Sequence, residues 1–376
     1  MGDNADRPLR RLPLHALHAA RGARMAEFAG WSMPIRYEEG VMAEHLHTRA
    51  AASLFDVSHM AQILLRSGRG VARAALALEA CTPADLVGLP EGRQRYALLT
   101  DDAGGIRDDV MVSHLGDALL VVANAANREA VLAHLRDALP AVTVEEIADR
   151  ALLALQGPRS EEVLSSLLPE VAAMRFMDAA RLRWAGGEIW VSRSGYSGED
   201  GFEISVPAAL AERLAEALLD QGGVKPAGLG ARDSLRLEAG LCLHGQDIDR
   251  TTTPVEAGLA WSIGRARRIG GERAGGFPGA DRILTELEVG PRRRRVGLRP
   301  EGRQPMRAGT EVMGPDGRVG LVTSGGFSPS LAAPISMAYV DARWAEPGTR
   351  LAGEVRGRPL AAEVVALPFL PPSFKR

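Results

Sequence analysis

The chain reads as an α+β protein whose last quarter is all-β, and three observations predict this. Residues 55–139 run strand, helix, strand, strand, strand, helix, the order of an antiparallel sheet with helices packed on it. A second α+β stretch follows from Ala151 to Ala239. Beyond 285 the texture changes to short strands broken by turns such as Pro315-Asp316-Gly317, as in a barrel or jelly-roll-like domain. With 376 residues the chain exceeds one hydrophobic core, so more than one domain is expected.

In order, residues 12–60 read as a helix, a loop, and a second helix over 38–52 feeding a strand. Gly30-Trp31-Ser32-Met33-Pro34 is the break, because Pro34 biases Met33 away from helix. Phe55 to Met60 starts a strand that continues through Ile63-Leu64-Leu65. An Ala/Leu-rich helix over 70–80 ends before Pro83, a hairpin spans 94–112, and Ala118–Ala123 is a buried strand before helix 127–139. Then come strand 151–155, helix 159–168, strand 188–192, helix 208–221 and helix 233–239.

Composition narrows the function. Hydrophobic residues make up 46% and charged residues 24%, the balance of an ordinary globular protein. A net charge of -2 argues against nucleic acid, which calls for a basic surplus. No apolar run approaches the ~18 residues that span a bilayer. Cys81 and Cys242 form neither a disulfide framework nor a CxxC, which points to a reducing compartment. The N-terminal stretch has arginines but no continuous apolar segment, and Asp3 and Asp6 count against a transit peptide. The expected location is the cytoplasm. No Walker A, no GxSxG and no GxGxxG after a strand is present, and Glu44, His45 and His47 lack the HExxH order of a zinc site.

The chemistry centres on Asp101–Val112, DDAGGIRDDVMV. Paired glycines after acidic residues are hairpin chemistry, since two-residue primed turns need positive φ at their centre. Asp108 and Asp109 are neighbours on a strand and point to opposite faces. An inward carboxylate is costly unless paired or employed, so the inner acid is either structurally satisfied or chemically used. Gly195-Tyr196-Ser197-Gly198-Glu199-Asp200-Gly201 predicts a convoluted loop where backbone closely approaches a ligand or another strand. Arg292–Arg295, at the start of the all-β segment, is either a solvated strand edge or a docking patch.

Several blocks, met in order, resemble the aminomethyltransferase (T-protein) family of the glycine cleavage system. They are GARMAEFAGWSMPIRY at 22–37, FDVSHM at 55–60, GGIRDDVMV at 104–112 and SGYSGEDGFEI at 194–204. GLGARDSLRLEAG at 228–240, HGQDID at 244–249, SPSLAAPISMAYV at 328–340 and LPF at 367–369 continue the match to the end of the chain. The resemblance implies a three-domain cloverleaf around a central folate funnel, with two α+β domains interleaved in sequence. The implied limits are 1–54 plus 147–243, 55–146 plus 244–284, and a C-terminal all-β domain at 285–376. The implied reaction moves an aminomethyl group from the dihydrolipoyl arm of an H-protein to tetrahydrofolate, giving 5,10-methylenetetrahydrofolate and ammonia. The partner contact is transient and the chain is expected to be a monomer.

Carried over residue by residue, the resemblance makes Asp108 the catalytic acid, with Asp109 turned to the opposite face. It puts Glu203 on the pterin, Tyr196 and Tyr96 along the folate, and Arg232 holding acidic groups or the cofactor. Trp261 either walls the same cavity or is a core tryptophan. The chain departs from the family at Ser113-His114 and at His244, where tyrosines are usual, and at Arg250, where Glu is usual. The first two departures loosen folate packing; the third is expected to change only a surface. Two alternatives are a non-catalytic folate-binding protein of the iron-sulfur assembly type, which carries a KGCYxGQ-type signature, and a stand-alone relative of the folate half of dimethylglycine or sarcosine oxidising enzymes.

Overall fold

The computed structural model describes residues 8–376. They divide into two compact units, each assembled from separated stretches: 8–61, 147–233 and 373–376 in the first, 62–146 and 234–372 in the second.

The first unit is built on a six-stranded sheet in the order Ala179–Trp184, Gly187–Ser192, Gly201–Pro207, Arg150–Gln156, Ala52–Asp56 and Val224–Pro226. Pairing is antiparallel except at the last strand. Strand Arg150–Gln156 is buried from Ala151 onward, so it reads as a continuous apolar run rather than an alternation. Helix Ala208–Leu219 adds Ala211, Leu214, Ala215 and Leu218 to the same core, the i, i+3, i+4, i+7 stripe of an amphipathic helix.

The stretch around Gly30 is a hairpin and not a break. Strands Arg24–Phe28 and Trp31–Arg36 pair antiparallel across Ala29 and Gly30, both at positive φ. Pro34 is tolerated because the neighbouring strand Arg10–Arg11 pairs only with Trp31 and Ser32, leaving Pro34 at an open edge. The strand expected over 55–65 is two strands, Ala52–Asp56 and Ala61–Arg66, in different sheets. Asp56 ends the first by accepting the Ser58 N–H at 2.9 Å, an Asx turn that reverses the chain.

In the second unit a five-stranded sheet runs Gln94–Thr100, Ile106–His114, Leu119–Ala123, Ala61–Arg66 and Thr143–Glu146. Beyond helix Ala280–Val289, which contains position 285, six strands close a barrel from Arg293–Pro300 round to Arg358–Val365. Val296, Leu298, Val312, Val322, Val340 and Leu351 fill its interior. The architecture is mixed α+β with a closed C-terminal barrel, as the sequence predicts.

Candidate functional site

The hairpin carries the chemistry, though not through a two-residue turn. Five residues, Asp101–Gly105, join strands Gln94–Thr100 and Ile106–His114, and of the paired glycines only Gly104 has positive φ. Asp101 shapes the turn by accepting the Ala103 N–H at 3.1 Å and the Gly105 N–H at 3.0 Å. Gly105 is required for another reason: a Cβ there would overlap the Arg250 carbonyl. Arg250 also donates from Nε to Asp101 Oδ2 at 2.9 Å, so this departure clasps the turn rather than merely altering a surface. Burial opposes ionisation of Asp101, yet Arg250 and the turn N–H groups together hold its carboxyl below the usual range.

Asp108 faces the sheet core with Ile106 and Val110 and has no exposed surface. It accepts the Asn124 N–H at 3.2 Å, the Asn124 side-chain amide at 2.8 Å and the Asn127 amide at 2.6 Å. Asp109 is half-buried on the opposite face, where its Oδ1 takes the Asn124 amide at 2.7 Å and its Oδ2 the Tyr96 hydroxyl at 3.1 Å. One amide therefore serves both acids. Tyr96 pairs across the ladder with Met111, which shares the Asp109 face. Its ring stacks on Trp261 at 5.4 Å and 29°. Trp261 is 65% exposed, which rules out a core tryptophan. The aromatic pair thus stands on the side of Asp109.

Burial, and then the neighbouring Asp109 charge, push the Asp108 carboxyl up to about 6 against the Asn124 and Asn127 donors. Burial raises Asp109 as well, opposed by His244, Tyr96 and Asn124. Two carboxyls so close and so raised hold a proton near neutrality far more readily than isolated ones.

Asn124 and Asn127 escaped the sequence reading, where Asn127 simply opened a helix. The usable signal was two cap-type residues, three apart, at the end of a buried strand. Neither side chain caps a helix terminus; both turn to the acids. His244, read from sequence only as a lost tyrosine, lies with Nδ1 2.9 Å from the Asn127 amide nitrogen. His114, at another departure, instead contacts the Leu89 carbonyl through Nδ1 at 3.1 Å, and Ser113 is buried.

In the first unit, Glu203, Arg232 and Tyr196 form a second group. Glu203 lies on strand Gly201–Pro207 between Ala154 and Ser192 and is only 9% exposed. Arg232, on helix Leu229–Glu238, holds its guanidinium 4.9 Å over the Tyr196 ring. Burial raises the Glu203 carboxyl and the Arg232 charge partly offsets it; burial likewise lowers Arg232, with Glu203 and Tyr196 offsetting. Two glycines of the loop serve close approach to a strand, and the third, Gly198, takes a positive φ. A Cβ on Gly195 or Gly201 would overlap the Gln156 amide, whose Oε1 accepts from Ser197 at 2.7 Å. Arg193 anchors the same loop by pairing with Asp200 and Glu161.

The Arg292–Arg295 run is largely consumed inside the second unit. Arg295 donates to the Ala257 carbonyl at 2.8 Å and the Gly240 carbonyl at 2.7 Å. Arg293 bonds the Thr251 carbonyl at 2.8 Å and stacks over Tyr339. Arg294 lies 3.9 Å from Glu346.

Residues 14–267 match the model of the GCVT N-terminal domain, and residues 293–370 match that of the glycine cleavage T-protein C-terminal barrel domain. The mitochondrial aminomethyltransferase of Gallus gallus is 46% identical over 99% of this chain and 95% of its own length. That of Homo sapiens is 44% identical over 98% and 92%, and that of Dictyostelium discoideum 41% over 98% and 94%. The crystal structure of the glycine cleavage system aminomethyltransferase T from Bartonella henselae superposes with a TM-score of 0.91 at 42% identity, covering 98% of this chain and all of that one. The chain belongs to the glycine cleavage T-protein family and is an aminomethyltransferase.

Proposed function

We propose that the protein moves an aminomethyl group from the dihydrolipoyl arm of an H-protein to tetrahydrofolate, releasing ammonia and forming 5,10-methylenetetrahydrofolate. The observation that carries this reading is the raised Asp108–Asp109 pair beside the exposed Tyr96–Trp261 stack. A flat heteroaromatic ligand suits the stack, and an amine that loses a proton as it attacks suits the pair.

In the reaction two folate N–H groups attack in turn the carbon held between sulfur and nitrogen. Each new C–N bond releases one proton. One goes to the departing amine as ammonia leaves, the other to the departing thiolate. The acid pair receives and returns these protons. We assign contact with the amine to Asp109, on the aromatic face; burial of Asp108 keeps the pair's proton affinity high, while its three hydrogen bonds, which work the other way, fix its geometry through Asn124. Glu203 is assigned to the pterin amino group and ring N–H, a two-point contact that a carboxylate can accept. Its raised proton affinity fits a group awaiting such donors. Tyr196 and Arg232 present a ring and a cation suited to a planar acidic cofactor.

The test is ammonia release from an aminomethylated lipoyl carrier with and without tetrahydrofolate. Folate-dependent release supports the reading. Folate binding without turnover would favour instead a non-catalytic folate-binding relative. We also propose a cytoplasmic location, which its two cysteines, Cys81 and Cys242, both free, support as far as a reducing compartment; cell fractionation checks this.

A further inference from the structure

His244 is wired into the acid pair through Asn127. The Asn127 amide nitrogen lies 2.6 Å from Asp108 Oδ1 and 2.9 Å from His244 Nδ1. An amide nitrogen carries two hydrogens and only donates. The Asp108 carboxylate fixes which way the amide points, because the amide oxygen in that place would meet another oxygen. With one hydrogen given to Asp108, the other has His244 Nδ1 at 2.9 Å and the Arg107 carbonyl at 3.5 Å, and the shorter contact makes Nδ1 an unprotonated acceptor. The ring proton then sits on Nε2, which lies 3.3 Å from the Ile106 carbonyl, an acceptor. Every contact agrees on one neutral tautomer.

We propose that His244 is a positioning residue of this aminomethyltransferase: by accepting the Asn127 amide at Nδ1 it holds the donor that secures Asp108. A proton on Nδ1 would set two donors against each other. The amide must then rotate, turning its oxygen to the imidazolium and taking its hydrogen from Asp108. The charged groups facing His244 are Asp108 and Asp109 on strand Ile106–His114 and Asp249 in its own loop.

The inference rests on the proposed reaction only for its rate measurement. The first experiment needs no substrate: nitrogen NMR of the protein labelled at histidine, with His244 identified by comparison with His244→Gln. The expected result at pH 8 is the neutral Nε2–H tautomer; an Nδ1–H tautomer or an imidazolium overturns the proposal. The second is turnover at pH 8 with lipoylated carrier and tetrahydrofolate. His244→Leu should lower the rate by about five- to tenfold without raising KM for tetrahydrofolate, the effect of one lost hydrogen bond. His244→Gln keeps an acceptor for the Asn127 amide and should restore the rate to within about twofold of wild type. A His244→Leu rate equal to wild type, or a His244→Gln rate as low as that of His244→Leu, overturns the proposal. Absence of any ammonia release by the wild-type protein would overturn the proposed reaction and leave the tautomer result to decide the positioning role.

Discussion

Asp101 and Arg250 close the hairpin turn from its two sides: the carboxylate caps Ala103 and Gly105, and the arginine that binds this carboxylate also sets its carbonyl against Gly105. The ion pair and the close approach differ greatly in worth. The Arg250 side chain is 63% exposed, so Arg250→Ala should cost less than about 1 kcal/mol. Gly105→Ala must move backbone and should cost about 2–4 kcal/mol. Urea unfolding of both variants checks the order; equal losses would show that the close approach relaxes freely.

Asp109→Asn should lower turnover by about 10² to 10⁴, the range for a positioned acid or base, and Asp108→Asn by less, since Asp108 acts through the pair. Single-turnover ammonia release distinguishes them. A near-normal Asp109→Asn enzyme would return the base to Asp108 alone.

Asp108 also makes a prediction about stability. Its folded value of about 6 lies above the ordinary 3.8, so the folded state holds the proton more tightly than the unfolded chain. That contribution is fully present below 3.8 and is lost as pH rises through about 6. Asp108→Asn removes Asp108's part of the slope, so the variant should lose stability relative to wild type as pH falls from 7 to 4. Denaturation curves at several pH values between 4 and 7 test this. Parallel behaviour of the two proteins would mean that the burial cost is offset by the asparagine donors.

Trp261→Ala should leave stability within about 0.5 kcal/mol, because the ring is mostly exposed, while weakening tetrahydrofolate binding about tenfold through loss of the stack. Glu203→Gln should weaken the same binding by about 1–3 kcal/mol, since a charge-assisted contact becomes a neutral one. Calorimetric titration measures both, and unchanged affinity in either variant removes that residue from the folate contacts.

Much of this was legible in the chain because it depends on local pattern. The alternation of Ile106, Asp108 and Val110 placed one acid inward, and the period-2 rule needs nothing beyond the strand. Glycine spacing announced a tight loop at 195–201, while its cause, the Gln156 amide, is 39 or more residues upstream and invisible locally. What sequence missed was side-chain choice among alternatives. Asn124 and Asn127 have cap chemistry and sit where caps occur, and only the acids' positions show that they are used elsewhere. The face on which Tyr96 stands lay beyond local pattern for the same reason: whether it joins Asp108 or Asp109 depends on ladder register, which pairs it with Met111.

The stretch 373–376 belongs to the first unit, where Phe374 stacks on Phe176 at 4.1 Å and Lys375 reaches Glu161 at 2.8 Å. A ribosome makes these residues long after Asp233, the end of that unit's previous stretch. The unit must therefore wait, lacking its final strap, while the whole barrel is synthesised, and Phe176 is without its stacking partner during that interval. Nascent chains arrested before residue 373 should be cleaved near Phe176 by an aromatic-specific protease, and chains released after residue 376 should resist it.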